Sequence, residues 1–414
     1  MNRTLSPKAL LFILTGLNLF NYMDRYVMGA VLHPIQQTFG IGDAAAGRMN
    51  TAFMLGYFVT APFFGWLGDR ASRKWLVAFG IFVWSLGTLF TGFASSFVLL
   101  LCFRVLVGVG EASYATISPS LISDSFTAEK RNNALTIFYV AIPVGAALGY
   151  ILGGEMEKHY GWRYAFIWAG IPGLALALIL LPFREPQRGG ADGSSKIPSA
   201  KPSIADILHL FKLTKYQLII WGYVAYTFAL GGFANWGPTY LNRIHQVPLD
   251  KAATFFGAVT AGAGLFGTFL GGFAASAWHK RNPAGYALLL GWSVTAAVPV
   301  VVLAFLTSNT VLAMSCLALA MFLLFLSTGP VNTLIIETVP VNLRASAMAI
   351  SIFMIHFFGD LWSPEIVGRI SDATQSLQKG VMILPGALLV GAMLWLVLAW
   401  RTSGEPRHSP AVTG

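Results

Sequence analysis

The chain has 414 residues, of which 56% are hydrophobic and 11% charged, and its formal net charge is +10. A composition this apolar and this poor in charge excludes a soluble multidomain protein. The basic residues are scattered rather than contiguous, which argues against a nucleic-acid-binding surface. The composition therefore predicts an all-α membrane protein.

Twelve long apolar segments run through the sequence, and most are unbroken by charge. Segments of this length can cross the hydrocarbon core of a bilayer as helices. Most of the 27 Lys and Arg residues fall at the termini or on connections of the same side, which predicts that both termini are cytoplasmic. The predicted spans are 8–38, 45–68, 73–94, 97–123, 132–154, 162–182, 215–241, 251–278, 284–306, 311–336, 343–368 and 379–400.

The first span carries an acidic and a basic residue side by side, Asp24 and Arg25. An ionisable group at bilayer depth is costly unless it faces a partner or water, so each is a candidate functional residue. Neighbours on a helix point about 100° apart, so these two cannot share one partner equally. Two interpretations stay open for the pair: a role in transport, and a static ion-pair network that sets helix packing.

The loop after the second span contains a charged motif. Residues 65–74 read G-W-L-G-D-R-A-S-R-K, which matches the major facilitator loop signature G-x-L-x-D-R-x-G-R-K except at Ser72. An acidic residue at a helix end among basic residues can hold two helix bundles together until the cavity reverses. The corresponding loop of the second half has Ala275 where the acid would stand. The predicted cytoplasmic gate consists of Asp69, Arg70, Arg73, Lys74 and Arg131.

The fourth span contains Arg104 and Glu111, seven residues apart. Seven residues is close to two helical turns, so both side chains lie on one face of the helix. Asp24 and Glu111 should both lie near the middle of the membrane, because the first and fourth helices run antiparallel. A carboxylate that opens to water on alternating sides can take up a proton on one side and release it on the other. We therefore predict Asp24 and Glu111 as the proton-coupling residues.

The fifth span has a stripe of small residues, Gly145, Gly149 and Gly153, which predicts close approach of a neighbouring helix. Six aromatic residues are candidates for lining a cavity wide enough for an amphiphile, although helix packing explains each of them as well. These six residues are Tyr22, Phe53, Tyr57, Tyr114, Tyr139 and Trp236.

The halves of the chain share a short repeat. Arg131 after the fourth span and Arg344 after the tenth are each preceded, seven residues earlier, by a carboxylate, Asp124 and Glu337. Such repeats characterise the major facilitator fold of two pseudo-symmetric six-helix halves, with the substrate site between them. The predicted domains are an N-terminal six-helix bundle (1–183), a cytoplasmic linker (184–214), a C-terminal six-helix bundle (215–401) and a disordered cytoplasmic tail (402–414).

The eleventh span contains His356 and Asp360. Residues four apart share a helix face, so the two can form a hydrogen bond or a charge pair. Because histidine titrates near neutral pH, they are a candidate pH-sensing pair. The alternative is a packing pair outside the cavity.

Several of these motifs together resemble the Spinster family of the major facilitator superfamily. The residues that carry the resemblance are F-N-Y-M-D-R-Y at 20–26, G-V-G-E-A-S-Y at 108–114, G-P-V-N at 329–332, and the segment from His356 through Pro364. The match extends over nearly the whole chain, and it is more specific than the loop signature alone.

The resemblance implies a secondary active transporter that moves lysolipid-like amphiphiles, such as lysophospholipids or sphingosine-1-phosphate, by proton-coupled alternating access. It also implies that Arg25 and Arg104 hold an anionic head group. We expect no enzymatic activity, no cofactor and no metal. The expected partners are a lipid substrate, protons and the bilayer, and the protein is expected to be a monomer in a bacterial inner membrane. The alternative is a proton-coupled carrier of soluble organic anions or drugs.

Overall fold

The fold is built almost entirely from helices. The computed structural model describes residues 3–4, 6–68, 70–180, 183–185, 210–340 and 343–403. Seven α-helices precede the linker: α1 (Pro7–Ala30), α2 (Leu32–Phe39), α3 (Asp43–Gly68), α4 (Arg73–Thr91), α5 (Phe97–Ser125), α6 (Ala128–Tyr160) and α7 (Trp162–Leu180).

Among the described residues from 210 onwards, there are ten α-helices and two π-helices. The α-helices are α8 (Thr214–His245), α9 (Leu249–Gly262), α10 (Thr268–His279), α11 (Gly285–Leu306), α12 (Thr310–Phe325), α13 (Thr328–Thr338), α14 (Arg344–Ile355), α15 (Ser363–Thr374), α16 (Leu377–Val381) and α17 (Ile383–Ser403). The π-helices, Ala263–Gly267 and His356–Asp360, continue α9 into α10 and follow α14. Single π turns of this kind occur frequently at functional sites.

Ten helical stretches in the described part of the chain are long and apolar enough to cross a membrane. Two further helices, α1 and α7, occupy predicted spans but are not both long and apolar enough to be included among these ten. Polar residues interrupt α1, and the apolar part of α7, Trp162–Leu178, is short. The helical membrane fold is thus confirmed, with ten of the twelve predicted spans meeting the criteria of length and hydropathy.

Side-chain caps and glycines fix where α1 lies. The Ser6 hydroxyl accepts a hydrogen bond from the Ala9 N–H, and Pro7 begins the helix, as is favourable at a helix N-terminus. The glycine stripe of α6 faces α1: a Cβ on Gly149 would lie 2.3 Å from the Met23 carbonyl oxygen. Only glycine permits this contact, so the predicted close approach is confirmed. It fixes the position of Asp24 and Arg25, which follow Met23, relative to α6.

The described helices form two compact units. The first comprises Met1–Pro198, Gly232–Ala261 and Leu361–Val381. The second comprises Ser199–Gly231, Gly262–Asp360 and Met382–Gly414. The first unit therefore includes the end of α8, the helix α9, and α15 with α16.

A two-residue parallel pairing, β1 (Arg3–Thr4) with β2 (Phe183–Arg184), is the one departure from helix among the elements of the first unit that the structure describes. The all-α prediction did not include it. The pairing joins the start of the chain to the segment after α7 and positions Glu185, which follows β2.

Candidate transport site

A cluster of buried polar residues lies between α1, α4 and α5 in the first unit. Asp24 is 1% exposed, Arg104 3%, and Glu111 and Thr88 are fully buried. Their neighbours on the same helices are mainly apolar. Buried ionised groups are destabilising unless they are paired, so the partner of each one decides what the cluster can do.

Arg25 and Glu111 form a direct ion pair. Arg25 Nη2 donates to Glu111 Oε2 across 2.5 Å, and the Glu111 side chain is inaccessible to solvent. The two residues are 86 positions apart in the sequence. Glu111 has no oppositely charged neighbour in sequence, and the fold supplies one from α1.

Aromatic rings surround the Arg25 guanidinium. Its central carbon lies 5.0 Å from the centre of the Tyr22 ring, 4.8 Å from that of Phe53 and 5.9 Å from that of Tyr57. Contacts of this kind between a cation and ring faces are favourable, most of all when water is excluded. Three of the six aromatic residues predicted to line a cavity therefore hold Arg25 in place.

Asp24 has different partners. The Thr88 hydroxyl of α4 donates to Asp24 Oδ2. Arg104 Nη2 lies 3.9 Å from Asp24 Oδ1, which is ion-pair range but too long for a hydrogen bond. Adjacent Asp24 and Arg25 thus pair with different residues of α5, consistent with their angular separation on α1.

Arg104 is the least satisfied member of the cluster. Its Nε and Nη2 have no hydrogen-bond partner within the described residues. The guanidinium carbon lies 5.7 Å from the centre of the Phe166 ring of α7. Asp24 Oδ1 and Glu111 Oε1 also lack hydrogen bonds there. A buried guanidinium with unused donors can accept an anionic ligand or exchange partners within the cluster.

The other three predicted aromatic residues have hydrogen-bond and ring contacts of their own. Tyr114 is fully buried and donates to the Leu14 carbonyl oxygen at 2.5 Å. Trp236 is 1% exposed, and its Nε1 donates to the Pro364 carbonyl oxygen at 2.9 Å. Tyr139 is half exposed and packs on Phe138. Tyr114 and Trp236 are thus buried and bonded to backbone carbonyl oxygens, and a cavity-lining role for them stays a prediction.

The loop signature meets the segment after α7. Arg73 pairs with Asp124 at the end of α5, and its Nε donates to Glu185 Oε1 across 2.9 Å. Ser72, the departure from the signature, donates to Glu185 Oε2 at 2.6 Å. Partial burial opposes ionisation of Glu185, but the hydrogen bonds from Ser72, Arg73 and the Lys74 N–H outweigh it and keep its pKa below the ordinary value.

Arg70 and Lys74 of the predicted gate each contact a tryptophan ring. Arg70 donates to the Trp66 carbonyl oxygen at 3.2 Å and lies over the Trp66 ring. The Lys74 ammonium lies 5.0 Å from the centre of the Trp75 ring. Asp69 and the side chain of Arg131 lie outside the described residues.

Comparison with known proteins agrees with this geometry. Residues 14–364 match the Major Facilitator Superfamily. The sphingosine-1-phosphate transporter SPNS2 of Danio rerio is 34% identical over an alignment of 427 positions, covering 96% of this chain and 85% of that protein. The chain belongs to the Spinster family of the Major Facilitator Superfamily.

Two further relatives support the Spinster assignment. Protein spinster of Drosophila melanogaster is 36% identical over 371 residues, and the aligned part is 87% of this chain and 61% of the fly protein. The crystal structure of a bacterial homologue of the human lysosomal transporter Spinster, inward-facing and unoccupied, superposes with a TM-score of 0.89. It is 25% identical and covers 98% of this chain and 99% of its own. This Spinster chain is accordingly an integral membrane transporter and not an enzyme.

The second unit of the Spinster chain contains the histidine–aspartate pair. His356 Nδ1 lies 3.0 Å from both carboxylate oxygens of Asp360. Both residues belong to the π-helix His356–Asp360, and they are partly exposed. Their contact matches the four-residue spacing, and a pH-sensing role remains a prediction.

Thr88 and Glu185 are polar partners that the sequence analysis did not identify. A signal for Thr88 existed: Ser85, Thr88 and Thr91 recur every three residues in an otherwise apolar helix, which indicates one polar face. Glu185 gave no comparable signal, because a single carboxylate beside Pro186 in a polar linker is unremarkable.

Proposed function

We propose that this Spinster protein moves lysolipid-like amphiphiles with an anionic head group by proton-coupled alternating access. The observation that carries the proposal is the unequal pairing in the buried cluster. Glu111 has a close ion pair with Arg25, whereas Arg104 keeps unused donors beside Asp24. The cluster therefore combines a titratable pair with a cation that can receive an anion.

Arg104 is the residue we propose for binding the head group. A phosphate offers several acceptor oxygens, and guanidinium groups match them in geometry and charge. Of the two arginines, Arg25 is already engaged by a carboxylate and three rings, so a ligand would have to displace those contacts. The name of the SPNS2 relative, a sphingosine-1-phosphate transporter, agrees with a phosphate-bearing amphiphile.

Glu111 is the residue we propose for proton coupling, with Asp24 as the second carboxylate. Protonation of Glu111 removes the charge that holds Arg25, and Arg25 would then turn towards another anion. Binding of an anionic substrate at Arg104 changes the electrostatic balance at Asp24 by the same logic. Proton and substrate thereby act on one charge-balanced set of four side chains.

Vesicle transport tests the proposal. Purified protein is reconstituted with labelled lysophospholipid or sphingosine-1-phosphate, and a pH step is imposed across the membrane. We expect wild-type uptake to follow the pH step and Glu111→Gln to lose that dependence. Glu155→Gln, which alters an exposed carboxylate of α6, is the matched control and should behave as wild type. Uptake of soluble organic anions with no lysolipid movement would instead favour the alternative substrate class.

We also propose that both termini are cytoplasmic, in a bacterial inner membrane, and that the protein works as a monomer. The orientation rests on the excess of Lys and Arg on the side of the termini. A reporter fused to the C-terminus should be active only when it stays in the cytoplasm. A mass of one protein copy per detergent micelle would support the monomer, and a stable dimer would contradict it.

A further inference from the structure

A second polar network lies at the distal end of the first unit, meaning the helix ends opposite to the start of α1. It joins α2 and the first turn of α3 to the last turn of α8 and to α15. We name it the distal latch and define it by Gln36, Asp43, Arg243, Ser371 and Asp372. All five residues belong to the first unit.

Asp43 is the centre of the distal latch. Its Oδ1 accepts hydrogen bonds from Gln36 Nε2 at 2.6 Å and Arg243 Nη1 at 2.8 Å. Its Oδ2 accepts from the Ser371 hydroxyl at 2.5 Å. The residue is only 6% exposed. A buried carboxylate with this many donors is well stabilised only while all of the donors stay in place.

Asp372 of α15 binds the backbone at Asp43, whereas the other members of the latch bind its side chain. Its two carboxylate oxygens accept the N–H groups of Asp43 and Ala44, each at 2.9 Å. These N–H groups belong to the first turn of α3 and have no acceptor within the helix. The carboxylate on α15 therefore caps α3, a position where negative charge is favourable.

Arg243 completes the network with all three of its nitrogens. Besides Asp43, it donates from Nη2 to Gln36 and from Nε to His33 Nδ1 across 3.1 Å. His33 must be neutral at Nδ1 to accept this bond.

Two glycines bring the helix backbones into contact at the distal latch. A Cβ on Gly47 of α3 would lie 2.5 Å from the Glu365 Cα, and one on Gly368 of α15 would lie 2.3 Å from the Asp43 carbonyl oxygen. Side chains larger than hydrogen would force α3 and α15 apart. The polar bonds and the backbone contact therefore depend on each other.

We propose that the distal latch is the closure that must break for the distal side of the transporter to open. The inference rests on the proposed alternating-access function. Its members come from α2 and α3 on one side of the linker and from α8 and α15 on the other, so they hold together the two parts of the chain. The five side chains of the distal latch are joined by hydrogen bonds, and water can replace each of these bonds when the closure opens.

Hydrogen–deuterium exchange of the purified full-length protein in detergent, without substrate, tests the proposal. We expect Asp43→Asn to speed amide exchange at least tenfold in the first turns of α3 and along α15, and to leave α11 and α17 unchanged. Gly368→Ala should do the same while keeping every charge. Glu155→Gln is the matched control, because it removes a charge pair with His159 that lies within α6 and joins no two helices.

Unchanged exchange in both Asp43→Asn and Gly368→Ala would overturn the latch. Faster exchange over the whole chain would also overturn it, because Asp43 would then serve global stability. If Asp43→Asn does not yield folded protein, Ser371→Ala removes one bond to Asp43 and takes its place. The readout uses no substrate, so failure of lysolipid transport in wild type would refute the proposed function and leave this result standing.

Discussion

The buried cluster around Glu111 and the distal latch around Asp43 are both polar, buried and built across helices, yet they are completed differently. In the distal latch, Asp43 accepts three hydrogen bonds and Arg243 donates from all three of its nitrogens. In the cluster, Arg104 keeps two nitrogens without hydrogen bonds within the described residues. A satisfied network stabilises one arrangement, whereas an unsatisfied one retains capacity for a ligand or a new partner.

Removing the unsatisfied cation should give the largest effect on transport. Arg104→Gln leaves Asp24 buried without its ion-pair partner and takes away the proposed head-group donor. A hydrogen bond to a charged group is worth about 1.5–3 kcal/mol, so we expect substrate affinity to fall by about 10- to 100-fold. Equilibrium binding of labelled sphingosine-1-phosphate to purified protein measures this loss of affinity.

The control for that variant is Arg48→Gln. Arg48 is a half-exposed arginine on α3 that lies 3.5 Å from Glu365. It should bind within about twofold of wild type, because Arg48 lies outside the buried cluster and Glu365 keeps its pair with Arg369. Equal losses in both variants would mean that Arg104 acts through general charge and not as a site.

Thr88 offers a way to alter the cluster without removing a charge. Thr88→Val keeps the shape but removes the hydroxyl that donates to Asp24, and a hydrogen bond to a charged group is worth about 1.5–3 kcal/mol. We expect transport to fall about tenfold and its pH profile to shift, with Thr88→Ser restoring both. A drop in rate with an unchanged pH profile would assign Thr88 to packing alone.

The distal latch should respond to acid through His33. Histidine ordinarily titrates near pH 6.5, so the bond from Arg243 to His33 is expected to be intact above about that pH and to be lost as the pH falls. A protonated His33 cannot accept the bond from Arg243, and the two cations repel each other. Amide exchange in the first turn of α3 should therefore quicken between pH 7 and pH 5.

His33→Gln should abolish that acid response, because glutamine can accept a hydrogen bond from Arg243 without titrating. Exchange in the variant should stay nearly constant over the same pH interval once the intrinsic pH dependence of exchange is subtracted. An acid response of wild-type size in His33→Gln would point to another titrating group.

Glu185→Gln is expected to have the smallest effect. Glu185 accepts bonds from Ser72 and Arg73 in a partly exposed contact, so its loss should lower the free energy of unfolding by about 1 kcal/mol or less. Chemical denaturation in detergent measures the change. A larger loss would show that the segment after α7 does more than cover the loop signature.

The sequence predicted the fold and most members of the cluster, because these depend on local rules. Apolar length predicts spanning helices, and spacings of four and seven residues predict shared faces. These rules identified Arg104 with Glu111, and His356 with Asp360. They gave no means of choosing among Tyr22, Tyr114 and Trp236, because an aromatic residue on an apolar helix fits a cavity and a packed interface equally well.

What the sequence determined by itself is the membrane class, the family and the set of charges that must find partners in the bilayer. Only the tertiary structure decided which residues those partners are. Arg25 pairs with Glu111 across 86 residues, and Asp43 meets Asp372 across 329. Contacts over such separations depend on which helices pack together and at what depth. That is set by close approaches such as Gly149 on Met23, which no local periodicity specifies.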